Sequence, residues 1–212
     1  NWAGDDFEVS LDATRLNPNL LNTLQEGTPL AMAGADMRLN VLRRAGLLEF
    51  RSEGQVSGWV PSQWPKPIDM RWSLVHKEGH LRIRSFEALQ GEQVLLGLNG
   101  ACPIEFSQPV VFGEQPLAIN LEAHLPLGLL QEGASGVLNL GGNFAGTWRA
   151  LTGSIDVLGK DLRLAPGWHP EVLSSGQIQG QLRLADGLTL ENASLQFGKW
   201  IDASIQLTSN LP

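Results

Sequence analysis

Apolar and polar residues alternate in Phe7-Glu8-Val9-Ser10-Leu11-Asp12-Ala13, and they alternate again in the same phase in Leu117-Ala118-Ile119-Asn120-Leu121-Glu122-Ala123. A two-residue period of this kind predicts a β-strand with one apolar face and one polar face. The two stretches begin about 110 residues apart, whereas the repeats of helical solenoids are about 20 to 50 residues long. We therefore predict two similar β repeats.

The features that follow the two stretches also correspond. A leucine-rich segment comes next in each copy, at residues 16–21 and 125–130, and each copy closes on a glycine followed by apolar alternation, at residues 91–98 and 198–205. We predict a first β repeat at residues 1–100, a proline-containing connecting edge segment at residues 101–116, and a second β repeat at residues 117–212 that is continuous with the first.

Strand signals dominate the rest of the chain, and helix signals are few. Asn17 favours the start of a helix over residues 17–25, and residues 127–131 are its counterpart. Glu78-Gly79 and Asp186-Gly187 lie where hairpin turns are expected. The predicted fold class is all-β with one or two short helices. The two-residue period recurs at residues 48–51, 70–74, 81–84, 94–98, 138–140, 155–157, 162–164, 182–184, 188–190 and 201–207.

Composition argues against several classes of protein. The net charge of -7 disfavours nucleic-acid binding, which needs clustered Lys and Arg to neutralise phosphates. Cys102 is the single cysteine, which excludes an internal disulfide and a cysteine-based zinc site, so we interpret it as a small apolar filler. Hydrophobic residues make up 42% of the chain and charged residues 17%, against about 25% charged in an average soluble domain. The predicted β-sheets therefore have a large apolar surface that must be buried or covered.

No constellation of residues predicts catalysis. His76 and His80 flank the predicted turn at Glu78-Gly79 and have no third metal ligand at a diagnostic spacing. The run Gly141-Gly142-Asn143-Phe144-Ala145-Gly146 resembles a phosphate loop, but a strand pattern and not a helix follows it. We expect no catalytic residue, no metal site and no cofactor, and we do not expect an enzyme.

Targeting signals are also missing from the sequence. It contains neither the ~20 consecutive apolar residues of a membrane span nor a signal-peptide pattern at its start. Because the first residues lead directly into a strand pattern, we interpret the chain as a fragment whose targeting information lies elsewhere.

A family resemblance is carried by the second repeat. Its run Gly136-Val137-Leu138-Asn139-Leu140-Gly141-Gly142-Asn143-Phe144-Ala145-Gly146-Thr147-Trp148 is followed by Leu151-Thr152-Gly153-Ser154-Ile155-Asp156-Val157 and by Asp161-Leu162-Arg163-Leu164. This order resembles the repeats of TamB, the translocation and assembly module family, which belongs with the AsmA-like group of bacterial envelope proteins. An AsmA-like relative of the YdbH type fits the same pattern. The first repeat is similar in Leu16-Asn17-Pro18-Asn19-Leu20-Leu21 and in residues 81–100.

The resemblance implies a fold, a location and a function. The implied fold is an elongated, strongly curved antiparallel or mixed sheet that forms an open apolar trough, also called a β-taco or β-groove. The implied location is the periplasm of a Gram-negative bacterium, in a bridge-like protein whose full-length form is anchored in the inner membrane. The implied function is phospholipid transport between the inner and outer membranes during outer-membrane biogenesis. The implied partners are a phospholipid or other acyl-chain ligand and an outer-membrane barrel protein similar to TamA.

Physical chemistry independently favours an acyl-chain ligand. The two chains of a phospholipid have roughly 30 methylenes, and exposing them to water costs on the order of 20 kcal/mol at about 0.8 kcal/mol each. A continuous apolar surface removes that cost without any reactive residue. The apolar positions of the strands are the expected groove lining: Phe7, Val9, Leu11, Leu117, Ile119, Leu121, Leu138, Leu140, Ile155, Val157, Leu162, Leu164, Ile178, Leu182, Leu184, Leu188, Leu190, Ile201, Ile205 and Leu207.

Three other interpretations stay open. Alternating strands are also typical of a closed sandwich whose apolar faces form an ordinary core. A second possibility is a scaffold or docking module that pairs its sheet edges with an outer-membrane assembly partner. The third is an adhesin or carbohydrate-binding module that uses some of the seven tryptophans on its surface.

Overall fold

The structure, a computed structural model, describes residues 6–16, 32–44, 47–60, 66–106, 111–130, 132–163, 176–185, 187–198 and 201–210. The chain divides into two compact units. Unit 1 comprises residues 1–62 and 66–117, and unit 2 comprises residues 63–65 and 118–212. Within the described part of the chain, both units consist of antiparallel β-strands with almost no helix. The expectation of an all-β chain is confirmed.

Unit 1 is a meander in which each of the first six strands pairs antiparallel with the next. Glu78 and Gly79 form the tight turn between β4 (Ile68–Lys77) and β5 (His80–Gln90), with φ values of 53° and 73°. Positive φ at both central residues is the conformation of a type I′ hairpin turn, so the expected hairpin is confirmed. The strands of unit 1 are β1 (Phe7–Leu16), β2 (Gly34–Arg44), β3 (Leu47–Trp59), β4 (Ile68–Lys77), β5 (His80–Gln90), β6 (Gln93–Glu105) and the two-residue β7 (Val111–Phe112). Strand β7 pairs with β6.

The strands of unit 2 also pair antiparallel with their neighbours. Strands β9 to β13 pair antiparallel in chain order, and β8 lies beside β9. A helix of four residues, α1 (Leu127–Leu130), follows β8. The strands are β8 (Leu117–Pro126), β9 (Ser135–Thr147), β10 (Ala150–Arg163), β11 (Gly176–Leu184), β12 (Gly187–Phe197) and β13 (Ile201–Asn210).

Several elements differ in detail from the sequence-based expectations. Residues 161–163 are the end of β10 and not a separate short strand, because a bulge with Asp161 at a φ of 52° lets the strand continue. Strand β6 extends to Glu105 and so enters the segment expected to connect the repeats. Helix α1 lies where the second short helix was expected, whereas residues 17–25 lie outside the described ranges. In the part of the chain that the structure describes, no helix is long and apolar enough to span a membrane.

Candidate functional site: an apolar sheet face

Cross-strand pairing shows which side chains of unit 2 share a face, because residues directly opposite each other in an antiparallel sheet point to the same side. Leu140 pairs with Val157 on the neighbouring strand. Two residues further along β10, Ile155 pairs with Leu182, which in turn pairs with Leu190. Strand by strand, these pairs join into one surface, which we call the apolar face of unit 2.

The predicted lining residues of β9 to β13 occupy this face. Strand β8 follows the same alternation: His124 contacts Asn139 on the opposite, polar face, with 2.6 Å between Nδ1 and Oδ1, which leaves Ile119 and Leu121 on the apolar side. Leu188 and Ile201 occupy register positions opposite Leu184 and Phe197. Leu164 lies outside the described residues. The predicted residues placed on the face by pairing are Leu138, Leu140, Ile155, Val157, Leu162, Ile178, Leu182, Leu184, Leu190, Ile205 and Leu207.

Most side chains of this face are only partly shielded from solvent. Ile155 and Leu182 are half-buried, whereas Ile205 and Leu207 on β13 are 40% and 62% exposed. Leu162 and Phe197 are buried, and so is the predicted residue Leu117, which is the last residue of unit 1. A sandwich core would bury almost all of these residues. The side chains on the apolar face of unit 2 are therefore more exposed to solvent than the side chains of a sealed core.

Aromatic rings on the apolar face lie across glycines of the neighbouring strand. A Cβ atom at Gly176 would collide with the ring of Phe197, and one at Gly153 would meet the ring of Phe144 at 2.6 Å. Glycine in a strand permits this close approach because it has no side chain. The rings of Phe144 and Phe197 therefore lie over glycines of the neighbouring strands. Phe144 and Phe197 are not among the predicted lining residues, although the glycines of the adjacent strands are a signal that could have indicated them.

Unit 1 has an apolar face built by the same pairing. One row runs from Val9 through Val41 and Phe50 to His76, and the next includes Leu11. The predicted residues Phe7, Val9 and Leu11 belong to β1, where Val9 and Leu11 are 50% and 44% exposed. The remaining members of this face lie on β2 to β6 and are not among the predicted lining residues. They include Met37, Leu39, Val41, Leu48, Phe50, Val56, Met70, Trp72, Leu74, Leu81, Ile83, Phe86 and Leu98.

Two polar side chains on the apolar face of unit 1, Trp72 and His76, are paired within the protein. The indole Nε1 of Trp72 donates to Ser52 Oγ at 3.0 Å, and the ring of Trp72 lies over Gly54. His76 is 3% exposed, and its ring stacks on Phe50 with centroids 5.4 Å apart. These contacts satisfy the hydrogen-bonding groups of two side chains that lie among apolar residues.

The opposite face of each unit is mostly polar, and in unit 2 it also carries the exposed side chains of Val137 and Leu158. In unit 1, Arg38 pairs with Asp12 at 2.9 Å and Arg51 pairs with Glu53 at 2.6 Å, both exposed to solvent. The backbone N–H of Arg15 and then the side chain of Gln55 hold the pKa of Asp36 below its usual value, and Arg51 does the same for the pKa of Glu53. Exposed pairs of this kind contribute little to stability, so the polar face is a solvated surface.

Surface depressions of unit 1 open on this polar side. One of about 370 Å³ is lined mostly by polar-face residues such as Asp12, Arg38 and Arg71, together with Met37 and Trp72. In unit 2, a smaller depression of about 110 Å³ is lined by Gln177, Gln179 and other residues of the polar side. The apolar faces are candidate sites because many of their described side chains are half-buried or exposed.

The described residues offer little reactive chemistry. Among them, no group of three or more His, Cys, Asp or Glu side chains is arranged to hold a metal ion. Cys102 is buried on the apolar face of unit 1, and burial raises the pKa of its thiol. A thiol with a raised pKa is a poor nucleophile. No protein-family model, curated protein or solved structure matches the chain.

Proposed function

We propose that this chain is a periplasmic segment of a bridge-like envelope protein, and that its apolar faces carry phospholipid between the inner and outer membranes. In this proposal the sheets curve into an open apolar trough made of two similar repeats. The full-length protein is anchored in the inner membrane, and the segment takes part in outer-membrane biogenesis. The resemblance of the sequence to TamB and its AsmA-like relatives motivates the proposed periplasmic location and the proposed phospholipid cargo.

The observation that carries the proposal is the exposure of a continuous apolar face. Within the described strands of unit 2, paired positions from Leu138 on β9 to Leu207 on β13 hold hydrophobic residues and glycines, many of them half-buried or exposed. Exposed apolar area costs about 25 cal/mol per Å² in water, so proteins rarely leave a large patch without a partner. Acyl chains match such a surface because they need no specific polar contact.

Similar details in the two units support the idea of two repeats. Strands β1 and β8 both have 10 residues and the same alternation. Both units place an aromatic ring over a glycine of the adjacent strand, Trp72 over Gly54 in unit 1 and Phe197 over Gly176 in unit 2. A duplicated lipid-binding surface would preserve such a detail.

Native mass spectrometry of the purified chain tests the proposal. We expect the protein to retain phospholipid after purification from an envelope extract, at a stoichiometry that detergent competition reduces. A protein that carries no lipid after gentle purification, and that takes up none from vesicles of phosphatidylethanolamine and phosphatidylglycerol, would rule the proposal out.

A second candidate function is docking through a sheet edge. Strand β13 pairs with β12 on one side, and it ends the strand order of the described residues. An unpaired strand edge can add a strand from another protein, here an outer-membrane barrel protein similar to TamA. Docking requires that Gln206→Pro in β13 abolish partner binding and that Ile155→Asp on the apolar face leave it intact. The opposite pattern favours lipid transport.

A further inference from the structure

The end of β6 crosses the apolar face of unit 1. Strand β6 pairs with β5 as far as Pro103. The backbone N–H of Ile104 then donates to the carbonyl oxygen of Gly79, in the turn between β4 and β5, at 2.9 Å. The carbonyl oxygen of Ile104 lies 2.7 Å from Nε2 of His76 on β4. Residues 104–106, which we call the strap, therefore pass from β5 across β4 on the apolar side of the sheet.

Phe106, at the end of the strap, lies against two rings of the apolar face. Its ring centroid is 5.2 Å from that of Phe50 on β3, at an interplanar angle of 69°, and 4.9 Å from that of His76, at 89°. Both contacts are edge-to-face arrangements, which are favourable for aromatic rings. Phe50 and His76 are opposite each other in the strand register, so Phe106 covers one cross-strand row. An acyl chain that lay on this row would occupy the same place.

The two ends of the strap are held by different kinds of contact. Ile104 is held by hydrogen bonds with Gly79 and His76, and it also pairs with β7. Phe106 is 37% exposed, and it packs on the face through its ring. Acyl chains can replace ring packing, because apolar contacts are non-directional, but they offer no hydrogen bonds to replace those of Ile104. Binding of an acyl chain therefore favours release of the Phe106 ring while Ile104 stays in place.

We propose that Phe106 is a gate on the apolar face of unit 1: its ring covers the row of Phe50 and His76 in the ligand-free protein, and an acyl chain that binds this row displaces it. This inference rests on the proposed lipid-carrying function and adds a form of regulation to it. A covered row exposes less apolar area to water when no cargo is bound. Because only molecules with a displaced ring can bind, the gate lowers the apparent affinity for an acyl chain.

Removal of the Phe106 ring tests the gate through affinity. Phe106→Ala is compared with Leu158→Ala, because Leu158 is 40% exposed and lies on the polar face of unit 2. Isothermal titration calorimetry measures the binding of oleate, a single acyl chain, to the 212-residue protein below the critical micelle concentration. We expect Phe106→Ala to bind oleate about threefold or more tighter than the unmodified protein, and Leu158→Ala to differ from it by less than about twofold.

Fluorine nuclear magnetic resonance measures the position of the ring independently. A para-fluorophenylalanine replaces Phe106, and we expect oleate to move its signal towards the value of the urea-unfolded chain. The N–H of Ile104 should stay protected from hydrogen exchange in the same sample, because its hydrogen bond to Gly79 remains.

Three results would overturn the inference about Phe106. The first is oleate binding by Phe106→Ala that is unchanged or weaker, and weaker binding would assign the ring to the wall of the site. The second is a fluorine signal that does not move when oleate binds, and the third is loss of the Ile104 protection, which would assign the motion to the whole strap. If neither protein binds oleate or takes up phospholipid from vesicles of phosphatidylethanolamine and phosphatidylglycerol, the proposed function itself fails; if both bind oleate equally, only the gate fails.

Discussion

The Nε2 atom of His76 lies 2.7 Å from the carbonyl oxygen of Ile104, and its Nδ1 atom lies 2.8 Å from the carbonyl oxygen of Leu48. One side chain on β4 therefore joins β3 to the end of β6. Phe106 meets the same ring edge-on, with centroids 4.9 Å apart. A neutral imidazole can donate to only one of these carbonyl oxygens, whereas a doubly protonated ring can donate to both. His76 is thus a buried polar link within a largely apolar surface.

We predict that His76→Phe lowers the stability of the chain by about 1 to 3 kcal/mol, the usual cost of unsatisfied buried polar groups. The substitution retains an aromatic ring beside Phe50 but removes the ring nitrogens that lie within hydrogen-bond distance of the carbonyl oxygens of Leu48 and Ile104. Urea denaturation followed by tryptophan fluorescence measures the change. His124→Phe is the control, because His124 is exposed; equal effects of both substitutions would contradict a special role for His76.

We predict opposite responses to alanine at two strand glycines of unit 2. Gly176→Ala places a Cβ against the ring of Phe197, so the ring must move, at a cost of about 1 to 3 kcal/mol. Gly141→Ala has no atom within 4 Å of the new Cβ and should be neutral or stabilising by about 0.4 to 1 kcal/mol, because alanine restricts the unfolded chain. Thermal denaturation compares the two variants. A Gly176→Ala protein as stable as Gly141→Ala would contradict the packing of Phe197 over Gly176.

We predict that the stability contributed by Cys102 decreases at high pH. Burial raises the pKa of the folded thiol, so above about pH 9 the unfolded chain releases the thiol proton while the folded protein keeps it. The free energy of unfolding therefore falls as pH rises through this window. The stability difference between the unmodified protein and Cys102→Ala, measured in urea at pH 8 and pH 10, should shrink. An unchanged difference would indicate that the thiol is accessible to solvent.

We predict that a charge on the apolar face of unit 2 blocks lipid binding without unfolding the sheet. Ile155→Asp places a carboxylate on the apolar face, next to Leu182, where an acyl chain would have to desolvate it. Ser154→Asp places the same charge on the polar face one residue away, and it is the matched control. Lipid binding by native mass spectrometry should fall at least about tenfold in Ile155→Asp only, with strand content unchanged by circular dichroism.

If Ile155→Asp and Ser154→Asp weaken lipid binding equally, a charge on either face of β10 weakens binding. That result would dissociate binding from the apolar face and favour a role for the strand edges. A loss of circular dichroism in Ile155→Asp alone would instead assign Ile155 to the folding core of unit 2, and Leu190→Asp on β12 would then replace it in the comparison.

The sequence predicted the strands of unit 2 well, because period-two alternation is a local signal that needs no knowledge of strand partners. It therefore identified Leu138, Ile155 and Leu182 as members of one face before their pairing was known. The continuation of β10 through Asp161 was missed, since a bulge depends on the pairing with the adjacent strand.

The apolar face of unit 1 was predicted less completely. Strand β2 alternates regularly from Ala35 to Val41 and departs from the pattern only at Leu42 and Arg43, so its local signal could have identified the strand. The roles of Trp72 and His76 depend on contacts with Ser52 and Ile104, which are distant in sequence. Contacts of this kind follow from strand register, and register cannot be obtained from the composition of a single strand.

Photocrosslinking along β11 tests most directly whether the apolar face holds lipid. A benzophenone amino acid replaces Leu182 on the apolar face or Gln179 on the polar face of the same strand, and crosslinked phospholipid is identified by mass spectrometry after irradiation in cells. We expect lipid adducts at position 182 at least about tenfold above those at position 179. Equal labelling at both positions, or no lipid adduct at position 182, would contradict lipid carriage on the apolar face.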